Sequence, residues 1–247
     1  MLNPFLAHGW ASSPERLAIA AGVTLGFAVL ARALRGVNRS GALTGGLACF
    51  LLFAGGGPAA FATLTALFLM TWLSTRLGYR RKLALGLAEH RDGRNAWQVT
   101  SNLAVAALGS VLFIATGNPS WLVAALAALT EAATDTVASE IGECRGSDAR
   151  LITTGRRVPA GTDGGVTVPG SIAGLAAGLV ITIIGAMGGM VLPTQLWVPV
   201  AAGFAGMLID SLLGATLQRR GWISNQAVNL FSTLAAAALA YTVPILA

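Results

Sequence analysis

Apolar stretches long enough to cross a bilayer recur along the whole chain, and nothing between them is large enough to fold as a separate soluble domain. At about 1.5 Å of rise per residue, roughly twenty helical residues cover a hydrocarbon core of about 30 Å. On that criterion the spans fall at 16–34, 41–55, 58–76, 97–116, 120–141, 169–191, 195–217 and 225–245. The second is short and glycine-rich, so whether it crosses fully is left open. Charged residues make up only 11% of the sequence, against about a quarter in soluble domains, and mean hydropathy is +0.70. The expected fold is all-α: a polytopic membrane protein of about eight helices, one transmembrane domain over 1–247, with a glycine-rich loop at 142–168 inside it.

The basic residues test that count. Arg32, Arg35 and Arg39 follow span one; Arg76, Arg80, Arg81, Lys82, Arg91 and Arg94 lie between spans three and four. Arg145, Arg150, Arg156 and Arg157 lie between five and six, and Arg219 and Arg220 between seven and eight. The connections near Gly55–Pro58, Gly117–Ser120 and Met190–Thr194 carry no charge. Eight spans put every basic loop on one side, which the positive-inside rule assigns to the cytoplasm, leaving both termini outside. The net charge of +6 is therefore sorted by topology and is not a nucleic-acid signal. The first span is followed by arginines rather than a small-residue cleavage site, so it reads as retained. Cys49 lies in a span and Cys144 in a basic loop, so no disulfide between them is expected, and His8 and His90 are too far apart for a His-based metal site.

Spans two, four, six and eight all start at the basic side, each with polar capping residues: Asn38-Arg39-Ser40-Gly41, Arg94-Asn95, Thr167 through Ser171, and Ser224-Asn225. Helix N-termini present unpaired N–H groups and a positive dipole end, which suits phosphate. Such caps also serve ordinary helices.

The acids narrow the reading further. Span five ends with Glu131, Thr134, Asp135, Thr136, Ser139, Glu140 and Glu143, and no base appears until Arg145. Carboxylates are costly in a bilayer, and a helix C-terminus favours cations over anions. Glu131 and Asp135 share one face and Glu140 and Glu143 another; Asp135 and Glu140 are about 140° apart on an ideal helix, so all four cannot face one point. Either these are wet boundary acids paired with loop arginines, or Asp135 and Glu140, helped by neighbouring hydroxyls, hold a divalent cation; Mg²⁺ takes one or two carboxylates plus substrate phosphates. In the loop that follows, Gly161, Thr162, Gly164 and Gly165 permit a tight turn lined with N–H groups. Asp163 is a further metal-ligand candidate, and Arg156 and Arg157 are candidate phosphate partners. Asp210, followed by Ser211, lies about two turns inside span seven and is a functional candidate by its place in the membrane. Asn95, Gln98 and Asn102 on span four, and Asn225 and Asn229 on span eight, are either site groups or interhelical glue.

Several blocks together are similar to the phytyl-phosphate kinase family, whose plant members act in the vitamin E pathway. They are Asn38-Arg39-Ser40-Gly41-Ala42-Leu43-Thr44-Gly45-Gly46, the Asp135–Glu140 segment with Ile141-Gly142, Leu151-Ile152-Thr153-Thr154-Gly155, Gly161-Thr162-Asp163-Gly164-Gly165, and Asp210 through Gln218. The resemblance runs from about residue 36 to 230. In the Gly155–Val158 stretch this chain has arginine where many relatives have lysine. The resemblance implies a multi-pass protein of a bacterial or archaeal cytoplasmic membrane with its site on the cytoplasmic face. It implies transfer of a phosphoryl group from a nucleoside triphosphate, CTP for preference, to an isoprenyl monophosphate, with Mg²⁺ as cofactor. The partners are then nucleotide, prenyl-phosphate lipid and membrane lipids, with oligomeric state open. The roles it implies are Asp135, Glu140 and Asp163 for metal; Asn38, Arg39, Ser40, Arg156, Arg157 and the glycine turn for phosphates; and Asp210 as a second metal ligand or as the group orienting the acceptor. Two alternatives use the same parts: nucleotidyl transfer from CTP to a lipid phosphate, and transport or flipping of phosphorylated lipids.

Overall fold

Sorting of charge to one end is reproduced in the architecture. The computed structural model describes residues 10, 13–89, 91–145 and 149–243, with the side chain of Arg145 omitted. His8 and His90 lie outside the described residues. The helices are α1 (Pro14–Ala33), α2 (Arg39–Arg76), α3 (Tyr79–Ala84), α4 (Ala96–Thr116), α5 (Ser120–Arg145), α6 (Val168–Met187), α7 (Trp197–Leu213) and α8 (Asn225–Tyr241). Among the described residues six helices have the length and apolarity of a membrane span, α2 counting once and the 17-residue α8 falling short.

α2 is two spans. Gly57 leaves the helical region with φ 63° and ψ −153°, and Pro58 follows. The chain reverses there, because both limbs return to the same neighbours. Trp72 Nε1 donates to the Leu34 carbonyl at 3.0 Å, just before the first limb starts, and Asn38 N donates to the Arg94 carbonyl at 2.9 Å. At the far end Trp10 N donates to the Gly55 carbonyl, and Gly55 lies flush against Ser110 of α4. The glycine-rich first limb therefore crosses the full bundle. Counting both limbs, eight membrane helices run between a strongly basic end and an end whose charges among the described residues are Glu15 and Arg16 in the first turn of α1.

α5 is the axis of the bundle, buried on all sides from Leu122 to Thr134. It can be central because its neighbours offer glycine where they touch it. Gly170 of α6 faces Ala138, Gly174 and Gly178 face Thr134, and Gly185 faces Leu126, all so close that a methyl group would collide. Gly203 and Gly206 of α7 do the same against Thr130 and Glu131. Small residues let helices approach where lipid supplies no hydrophobic drive. Each predicted cap forms: the Asn38, Thr167 and Ser224 side chains accept from Gly41, Gly170 and Ala227 N–H, and Asn95 forms a reciprocal capping box with Gln98.

At the basic end, Lys82 of α3 is 1% exposed and its ammonium donates to the Ser74 and Thr75 carbonyls in the last turn of α2. It also pairs with Glu140 of α5. This one side chain binds carbonyls in the last turn of one helix, where intrahelical donors run out, and ties them to the acidic end of another.

Candidate functional site

The central position of α5 brings its acidic end against α7 and α8. Glu131 is 1% exposed, packed over Gly206, and lies within electrostatic reach of Asp135 and Asp210. Its Oε1 is buried without a hydrogen-bond partner. Ser232 of α8 donates to Asp210 Oδ2 at 3.3 Å. Three carboxylates therefore gather in one buried neighbourhood, and the cation facing Asp135 is Arg94. Asp135 and Asp210 line a polar cavity of about 400 Å³ at the basic end.

The loop between α5 and α6 roofs this cavity. Arg150–Leu151 pairs antiparallel with Gly165–Val166 as a two-stranded ribbon, β1 and β2. Gly164 has φ 73°, and a methyl group on it would fall about 2.4–2.5 Å from Ala215 Cβ, Ala215 N and the Ser211 carbonyl. Only glycine allows that approach. Below it α7 ends in a π-helical turn, Gly214–Gln218, a deviation frequent at functional sites. Gln218 Nε2 donates to Asp163 Oδ1 at 2.9 Å, fastening loop to turn. Asp163 sits outside the spans; partial burial raises its pKa above the usual aspartate value, opposed by the charge of Arg219.

The fourth wall comes from the segment before α4. Gly93, at φ 81°, lies directly on the Arg35–Val37 backbone, and Val37 bridges Arg94. Arg94 Nε lies 3.5 Å from Glu89 Oε2, and Gln98 Nε2 donates to both Glu89 oxygens at 3.2 and 3.3 Å. Glu89, Arg94, Gln98 and Thr136 line the polar cavity on one side and a second cavity, of about 470 Å³, on the other. The second is largely apolar and runs between α1, both limbs of α2 and α4, past Phe27, Gly45, Leu64 and Leu103. Its mouth carries Arg35, Arg76, Arg91 and Arg94, with the Arg76 guanidinium stacked 3.9 Å over Trp72.

Of the residues expected from sequence, Asp135, Ser139, Glu140, Gly161, Thr162, Asp163, Gly164, Gly165, Gln98, Asp210, Ser211, Asn225 and Asn229 line the polar cavity. Asn102 is buried, donates to the Gln98 carbonyl, and lines the apolar cavity. Asn38, Ser40 and Asn95 work as caps; Ser40 Oγ also accepts from Ala96 N, locking two helix starts together. Arg39, Arg156 and Arg157 are exposed and line neither cavity. Of the four helix N-termini expected to converge, those of α4, α6 and α8 contribute Gln98, Thr167 and Asn225 to the polar cavity, and α2's does not.

Asp135, Glu140 and Asp163, the expected metal trio, line one cavity but each has a different neighbour. Glu140 is engaged by Lys82, Asp163 by Gln218, and among the described residues no three acidic, His or Cys side chains form a ready metal cage. Asp135 instead faces Glu131 and Asp210. Arg94 and Glu89, which sequence reading took as topology or passed over, stand at the junction of the two cavities. No periodicity marks them; only the docking of Gly93 on Gly36 hints at a fixed loop.

Fold and site together define a polytopic helical membrane protein with a carboxylate-rich polar cavity at its basic end, open beside an apolar chamber between the helices. The chain belongs to the family described as Integral membrane protein DUF92, which it matches over residues 22–237. It is 33% identical over 195 residues to an uncharacterised membrane protein of Synechocystis, covering 77% of this chain and 76% of that one. An uncharacterised membrane protein of Methanocaldococcus jannaschii is 30% identical over 208 residues, 84% of this chain and 85% of that one. The chloroplastic protein VTE6 of Arabidopsis thaliana is 29% identical over 210 residues, 80% of this chain but 62% of that longer protein. These matches bear out the resemblance read from the motif blocks. No solved structure matches the chain.

Proposed function

We propose that this protein is a membrane-embedded phosphotransferase that passes a phosphoryl group from a nucleoside triphosphate, CTP for preference, to an isoprenyl monophosphate, from the cytoplasmic face of a prokaryotic inner membrane. The observation that carries the reading is the pair of adjoining cavities. A polar, acidic chamber suits a metal–triphosphate, an apolar one suits a lipid tail, and Glu89, Arg94, Gln98 and Thr136 form the wall they share. Similarity to the chloroplastic VTE6 protein and the motif resemblance to phytyl-phosphate kinases support it.

A divalent cation fits the carboxylates present. Glu131 has an orphaned buried oxygen, Asp135 and Asp210 lie beside it, and Arg94 faces Asp135 alone of the three. Asp135 and Asp210 would hold Mg²⁺, with triphosphate oxygens completing its shell; bound there, it would neutralise charge on the transferred group. The chain's own part is positioning. The N-termini of α4, α6 and α8 present N–H groups to phosphate oxygens, and Arg94 holds the acceptor phosphate beside the donor. An acceptor oxygen attacks the γ-phosphorus, the bond from that phosphorus to the β–γ bridging oxygen breaks, and nucleoside diphosphate departs. A phosphate monoester is largely dianionic near neutrality, so no side chain need remove a proton, and charge neutralisation supplies most of the acceleration.

The test is incubation of purified protein with Mg²⁺, CTP or ATP, and a panel of prenyl monophosphates. Prenyl diphosphate and nucleoside diphosphate are the expected products, lost in Asp135→Asn. Release of pyrophosphate would assign nucleotidyl transfer instead, and no turnover with any donor would overturn the proposal.

A further inference from the structure

The apolar chamber contains two glycines that the fold does not require. Most helical glycines here are demanded by contact: a methyl on Gly41 would meet the Arg94 carbonyl, and one on Gly55 would meet Ser110, both inside 3 Å. Gly45 and Gly46 differ. A methyl on Gly45 would sit 3.6 Å from Val99 Cγ1, and one on Gly46 would sit 3.5 Å from Ala28 Cβ, both ordinary contacts. Neither has positive φ. Each glycine costs about 1 kcal/mol against alanine in a helix interior, and packing gives nothing back. What they leave is space, because both line the apolar chamber, opposite Ala28 and Ala31 of α1.

The chamber's chemistry names its occupant. Four arginines ring its mouth at the basic end, its body is apolar, and its volume of about 470 Å³ lies within the range of roughly 300–1,000 Å³ seen for small-molecule sites. An anionic head with a hydrocarbon tail satisfies both ends. α1 is also the least enclosed helix, packing chiefly against α2. The small faces of Ala28, Gly45 and Gly46 therefore stand where a tail could slip in from the bilayer.

We propose that this chamber holds the tail of the prenyl-phosphate acceptor, and that Gly45 and Gly46, with Ala28 opposite, set the chain length accepted. This rests on the phosphotransferase reading for the identity of the head group. Gly46→Leu and, from the other wall, Ala28→Leu place a bulky side chain in the chamber without touching the polar cavity. Leu47→Phe, whose position is 61% exposed on the lipid side, serves as the control.

Binding of a five-carbon and a twenty-carbon prenyl monophosphate is measured without nucleotide on detergent-purified protein, each variant first checked for monodispersity and helicity. The expected result is at least a tenfold loss of affinity for the long chain in both leucine variants. Affinity for the short chain is expected within about twofold of the parent, and Leu47→Phe unchanged for both. Equal losses for both lengths, or none, would overturn the proposal. Length-selective binding without phosphotransfer to any acceptor would leave this pocket standing and remove the kinase. Phosphotransfer with length preference untouched by either leucine would do the reverse.

Discussion

Replacing Lys82 by methionine keeps the length and apolar body of the side chain and removes only its charge. Lys82 is 1% exposed and the Glu140 side chain 15%. Breaking a buried pair by deleting one partner costs about 3–5 kcal/mol, since the remaining charge is stranded. Glu140 keeps some contact with water, which lowers that figure, but the Ser74 and Thr75 carbonyls also lose their ammonium donor, at about 1 kcal/mol each. Lys82→Met should therefore lose about 3–5 kcal/mol. Adding Glu140→Gln removes the stranded charge, and the double variant should recover about 2 kcal/mol, a coupling typical of residues in contact. The assay is SDS-driven unfolding from mild micelles, followed by circular dichroism and tryptophan fluorescence. The same variants decide what Glu140 is for: as a structural partner of Lys82 it can be replaced in the double variant with phosphotransfer kept within about threefold, whereas a metal ligand cannot. A loss below about 1 kcal/mol in Lys82→Met, or a double variant no more stable than the single, would refute the clamp.

Arg94→Lys keeps a charge but not the planar fork that serves Glu89 and both cavities; phosphotransfer kcat/KM should fall about 10- to 100-fold, the size of one or two charge-assisted hydrogen bonds, with the unfolding midpoint little changed. Gly164→Ala forces a left-handed alanine into the Ala215 backbone, so loop 149–166 should undock and become susceptible to limited proteolysis while the helices stay folded. For Asp163 the raised pKa means the folded state holds a proton that the unfolded chain has already released. Stability should therefore decline as pH climbs from the ordinary aspartate range through the raised value, and Asp163→Asn should flatten that slope in unfolding titrations.

The membrane architecture was legible because it rests on local signals. Hydrophobic runs and sorted arginines define spans and ends, and cap residues such as Asn38, Asn95, Thr167 and Ser224 act within one turn. The 140° separation of Asp135 and Glu140 already implied two destinations, and they have two: Asp135 toward Glu131 and Asp210, Glu140 toward Lys82. The destinations themselves were hidden, because they depend on which helix packs where. Lys82 reaches Glu140 across 58 positions of sequence, and in sequence it is one more basic residue on a basic loop. Arg156 and Arg157 show where adjacency in sequence and position in the fold part ways. They stand close to the glycine turn in sequence, but in the fold both are exposed and line neither cavity, while the backbone of Arg157 bridges Arg150. The π turn left no trace in composition; it arises where Gly214 yields to Gly164.

The reversal at Gly57 bears on how this protein comes to be made. Its two limbs are joined by a single non-helical residue and a proline, without a charged or hydrogen-bonding side chain between them. The other two connections at that end, around Gly117 and Met190, carry no charge either. Each pair of spans can thus enter the bilayer as one hairpin, with no hydrophilic segment to be dragged through the hydrocarbon. The arginines of the site all lie at the other end of these hairpins, so none of the three connections has to carry one of them through the hydrocarbon.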